Sequence, residues 1–70
     1  MRALDRQELA VLRAVRAGAE SASEAAAATK LSISTVVHVA RGLVRASLLC
    51  ALDGEPWAVR AEALPLLGAP

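Results

Sequence analysis

The chain has 70 residues, 56% of them hydrophobic, with eight Lys and Arg against seven Asp and Glu for a formal net charge of +1 at pH 7. That is enough for one domain with a thin core, because much of the apolar content is alanine and Trp57 is the single aromatic residue. No run approaches the roughly 18 apolar residues of a membrane span, no signal-peptide segment is evident, and the lone Cys50 excludes an internal disulfide, so the chain reads as cytoplasmic.

Asp5 with Glu8 three residues on predicts a capping box, and Leu4 and Leu9 fall at the places of a hydrophobic staple. Leu9, Ala10, Leu12, Ala14 and Val15 then supply an apolar face with Arg6, Arg13 and Arg16 outside it, and Gly18 is a stop, giving a first helix over about 6–17. Ser21-Ala22-Ser23-Glu24 is a second capping box ahead of four alanines, which predicts a short helix over about 22–29. Thr29, Lys30 and Leu31 form a turn, Ser32 caps a third helix running to about Ala46, and Leu31 with Val36 repeats the staple.

Leu48 to Leu52 and Trp57 to Arg60 read as strands around Asp53-Gly54, a hairpin signal, with Pro56 closing the loop and Trp57 anchoring the hairpin against the third helix. Residues 61–67 are compatible with a helical turn broken at Pro65, before a Gly68-Ala69-Pro70 tail. The whole is mainly α with a small β-hairpin: a single winged helix-turn-helix domain over 1–70, its helix-turn-helix at about 22–46 and its wing at about 48–60.

The third helix carries the chemistry. Val36, Val39, Ala40 and Leu43 fall on one side at helical spacing, and Ser34, His38, Arg41 and Arg45 on the other. From Lys30 to Leu49 the ionisable residues are Lys30, His38, Arg41 and Arg45, without a carboxylate, so a nearly neutral chain has a local basic face. If this helix enters a major groove, Ser34, Thr35 and His38 can exchange hydrogen bonds with bases or phosphates. Arg41 can chelate a guanine or clamp a phosphate, Arg45 and Lys30 suit phosphates, and Val37 can touch a thymine methyl.

These residues resemble winged helix-turn-helix regulators of the broad MarR and ArsR type. The stretch from Leu31 to Leu49 looks like the family's recognition segment, Ala26 stands where the pattern has its small residue, and Leu31, Val36 and Val39 match its packing positions. The resemblance covers about residues 5–64. A single helix touches too few base pairs for strong discrimination, so a homodimer on two half-sites, or a place in a larger assembly, is expected. Three positions depart from it: Lys30 and Ser47 replace glycines that serve positive φ, and the wing carries Asp53 and Glu55 where family wings carry Arg or Lys toward phosphates.

One His, one Cys and scattered acids give neither a metal set nor a nucleophile, base and orienter together, so an enzyme, a cofactor and a metal are not expected. Ser32 reads as a cap, and Cys50 as a buried strand residue. The leading function is a small transcriptional regulator binding double-stranded DNA; the arginine-rich, alanine-rich composition points to a bacterial or phage genome. The alternative, motivated by the acidic wing, is a protein-interaction module acting as adaptor, inhibitor or antirepressor. Helix 1 and the run Leu64 to Leu67 are the expected self-association surfaces.

Overall fold

The computed structural model describes residues 4–52 and 54–67. The elements are α1 (Arg6–Arg16), α2 (Ala22–Thr29), α3 (Ile33–Arg45), β1 (Leu49–Cys50), β2 (Ala58–Val59) and a 3-10 helix, η1 (Ala61–Leu67). β1 and β2 pair antiparallel, which makes the architecture a winged helix-turn-helix, mainly α with one small hairpin. Asp53 of the turn and the Gly68-Ala69-Pro70 tail lie outside the described residues.

Each helix begins where the capping residues place it. The Glu8 amide donates to the Asp5 carboxylate at 2.8 Å and the Asp5 amide donates to Glu8 Oε1 at 3.0 Å, so two otherwise orphaned backbone donors are each satisfied by the other residue's carboxylate. At α2 the box is displaced by one residue. The Glu24 amide donates to Ser21 Oγ, while the Glu24 carboxylate accepts from the Glu20 amide at 2.8 Å.

The turn between α2 and α3 is held by side-chain oxygens and one left-handed residue. Thr29 Oγ1 donates to the Ala25 carbonyl at 2.7 Å and accepts from the Leu31 amide at 3.4 Å. Lys30 stands between them at φ 62, and Ser47 reverses the chain after α3 at φ 61; these are the two non-glycine residues with positive φ among those described. Both are the places where the resemblance expected glycine, so the backbone shape is kept without the residue that adopts it most easily.

Ala25 and Ala26 are buried, which brings α3 close against α2, and Val36, Val39, Ala40 and Leu43 of α3 close over Val11, Leu12 and Val15 of α1. The alanine-rich α2 therefore acts as a thin spacer. The large, fully covered side chains are contributed by its neighbours, Leu12, Val11, Leu43, Val36 and Leu49.

The hairpin is shorter than the sequence predicts. Leu49 pairs with Val59 and Cys50 with Ala58, and the Arg60 amide donates to the Leu48 carbonyl at 3.0 Å. Bonded pairs in an antiparallel ladder recur every second residue, so the next after Cys50–Ala58 is Leu52–Pro56. Pro56 has no N–H, and pairing stops there. The Glu55 amide instead closes on the Leu52 carbonyl, with Gly54 at φ 80 supplying the reversal.

Trp57 occupies the alternate register, where the amide points away from β1, and it donates to the Glu20 carbonyl in the α1–α2 link at 3.0 Å. β2 lies against α1 and β1 against α3, so the wing's tie at Trp57 runs to the α1–α2 link rather than to α3 as the sequence suggests.

Two further expectations change. Pro65 does not break the C-terminal segment; η1 runs through it, since proline's φ suits a 3-10 helix and only one amide is lost. The apolar face of α1 is spent on the molecule's own core, with Val11 and Leu12 buried, whereas of the run Leu64 to Leu67 only Leu67 is buried, Leu66 is half-buried and Leu64 and Pro65 are exposed. α1 is therefore not the free apolar face that the sequence predicts for self-association, while the C-terminal run keeps Leu64 and Pro65 at the surface. Cys50 is a free thiol and half-buried rather than buried.

Candidate nucleic-acid interface

α3 presents the polar stripe to solvent. Ser34, His38, Arg41 and Arg45 are all exposed, and Lys30 is exposed in the turn just before the helix. Thr35 and Val37 are half-buried at the two margins of the stripe. The residues singled out from sequence thus lie on one side of α3 and its entry turn, opposite the side that carries Val36, Val39, Ala40 and Leu43.

The N-terminus of α3 is organised by three hydroxyls. Ser32 Oγ accepts from the Thr35 amide at 3.2 Å and donates to Thr35 Oγ1 at 2.8 Å, with Ser34 Oγ 3.3 Å away. Ser32 is thus the cap. Because Ser32 gives its proton to Thr35, the Thr35 hydroxyl is left with a proton to donate elsewhere. α1 and α2 each carry a glutamate in the first turn, whereas α3 carries no acid there, so the positive end of its dipole is not neutralised by its own side chains.

His38 is placed less simply than the sequence implies. It lines an open cleft of about 280 Å³ with Val39 and Gly42 of α3, whose other wall is Asp5, Gln7 and Glu8 at the start of α1. The carboxylate-free run of sequence therefore does not make a carboxylate-free surface. On the His38 side folding brings two acids alongside, and the positive field is concentrated at Lys30, Arg41 and Arg45.

Around the wing the described charges are balanced: Leu52 is 59% exposed, Glu55 is exposed, and Arg60 faces Glu62 of η1 at 3.6 Å. Sequence reasoning missed Ile33, the first residue of α3, which is 54% exposed. Its signal is the four-residue spacing Ile33, Val37, Arg41, Arg45, one ridge along the helix.

The fold and this exposed helix define a winged-helix domain. A scan against protein-family profiles finds no match, and no curated protein matches the chain. Among solved structures, the chain is similar to the O-methyltransferase NcsB1 from neocarzinostatin biosynthesis, solved in complex with S-adenosyl-L-homocysteine, with a TM-score of 0.73 and 22% identity over 86% of this chain. The chain spans 20% of that protein's length. Likeness at this level of identity concerns the fold, which recurs there as one part of a longer enzyme.

Proposed function

We propose that this chain is a non-catalytic, sequence-specific binder of double-stranded DNA, acting as a small transcriptional regulator with α3 in the major groove. The observation that carries the reading is a helix of 13 residues, set up by a tight left-handed turn, whose inner side is buried and whose outer side offers Ser34, His38, Arg41 and Arg45. Thr35 and Ser34 stand at the end that meets base edges, and Arg41 is the candidate for a guanine or phosphate contact. Lys30 and Arg45 face phosphates from the two ends of the helix. A single helix touches too few base pairs to discriminate strongly, so the reading includes a homodimer on two half-sites.

The test is fluorescence anisotropy with a labelled mixed-sequence duplex at low salt, comparing wild type with Arg41→Ala. Binding that weakens steeply with salt, and falls by roughly tenfold in the variant, is the expected result. If neither protein binds above background, DNA recognition is lost.

The wing favours a second reading. Leu52 beside the acidic Glu55 suits a protein surface better than a phosphate backbone. A partner captured from extract that survives nuclease and high salt, and is lost in Leu52→Asp, supports an interaction module.

A further inference from the structure

Along the outer edge of α3, Ile33, Val37, Arg41 and Arg45 follow one another at four-residue spacing and form a single ridge. Its first half is aliphatic and its second half cationic. Ile33 is 54% exposed, and nothing in the core requires an isoleucine at the first position of a helix, where a polar residue serves equally well. Val44 adds an aliphatic side chain, 41% exposed, beside the arginines.

A second protein chain is a poor occupant for this edge. Three aliphatic side chains fall far short of the roughly 800 Å² per partner that a stable protein interface buries. A second copy meeting it about a two-fold axis would also set its own Arg41 and Arg45 against the first pair. A polyanion is the complementary partner, and the one apolar group in a major groove is the 5-methyl of a pyrimidine.

Resting on the DNA reading, we infer that Ile33, with Val37, is a specificity determinant that reads thymine methyl groups in the major groove, about two turns and one turn of helix, respectively, from the base or phosphate held by Arg41. The division along the ridge matches the docking of recognition helices: the N-terminal part meets base edges and the later part lies beside the backbone. Sites bound by this protein then carry thymines at the positions facing the start of α3.

Selection from a random-sequence duplex pool supplies the probe. The enriched duplex is resynthesised with deoxyuridine in place of single thymidines, which removes one methyl and leaves the Watson–Crick pairing intact. For wild type, deoxyuridine at one or two positions lowers affinity about fourfold each, the contribution of one buried methyl group. Ile33→Ser, an exposed substitution whose folding is checked by circular dichroism, loses the discrimination at the position Ile33 reads and keeps any that Val37 reads. Wild type that enriches a sequence but is indifferent to every deoxyuridine overturns the inference and leaves DNA binding standing. The same holds if Ile33→Ser keeps the full thymine preference. If no sequence is enriched, the DNA reading fails and this inference with it.

Discussion

Lys30 and Ser47 show how a backbone conformation can outlast the residue best suited to it. Both are held at positive φ, where a side chain clashes with its own carbonyl, at a cost of about 1–2 kcal/mol each. Glycine removes that clash and gives back part of the gain through its freer unfolded state. Ser47→Gly is therefore expected to raise stability by about 0.5–1 kcal/mol, read as an increase in Tm of a few degrees. Lys30→Gly should raise Tm in the same way while weakening DNA binding, because the exposed ammonium at the entrance to α3 is lost. If both substitutions lower Tm, the left-handed turns are not strained. If Lys30→Gly leaves DNA affinity unchanged, Lys30 is a turn residue and nothing more.

At the scale of elements, capping chemistry and helical spacing were legible in the sequence, and long-range hydrogen bonding was not. Asp5, Ser21 and Ser32 mark the three helix starts because each cap depends on atoms within three or four residues. The strand ends were misjudged because they depend on an alternation of bonded pairs that Pro56 interrupts, and on a Trp57 amide directed to Glu20, 37 residues away in the chain. The stripe on α3 was legible from periodicity alone. The acids beside His38 were not, since Asp5 and Glu8 reach that side only through the crossing of α1 and α3. η1 extends beyond the single turn broken at Pro65 that the sequence suggests for a related reason: Ala63 and Leu67 have no local partner and are buried only in the assembled core. Leu67→Ala removes a side chain that is 8% exposed and should cost about 2 kcal/mol, whereas Leu64→Ala, at 38% exposed, should change stability by less than about 0.5 kcal/mol. Chemical denaturation of the two variants checks this, and equal losses would mean that η1 does not dock as described.

For the molecule as a whole, a formal charge of +1 cannot by itself drive association with DNA, so on the proposed reading binding comes from how the charge is arranged. Lys30, Arg41 and Arg45 are exposed on α3 and its entry turn, while Asp5 and Glu8 line the cleft beside His38. The Cα envelope measures 27 × 23 × 22 Å, and successive faces of a duplex are about 34 Å apart along its axis. Once side chains are added, two copies on adjacent half-sites can sit side by side without either being stretched across both. Counterion release then distinguishes one bound copy from two: three cations on phosphates give a slope of log K against log salt of roughly −3, and two copies give roughly −5 to −6. Arg45→Ala should reduce the slope by about 1 per copy while leaving base preference intact, because a phosphate contact carries charge and little sequence information. Anisotropy titrations over a range of salt concentrations measure both quantities at once. A slope near zero would place the binding energy away from the cations of α3, and a changed base preference in Arg45→Ala would move that arginine from the backbone to a base.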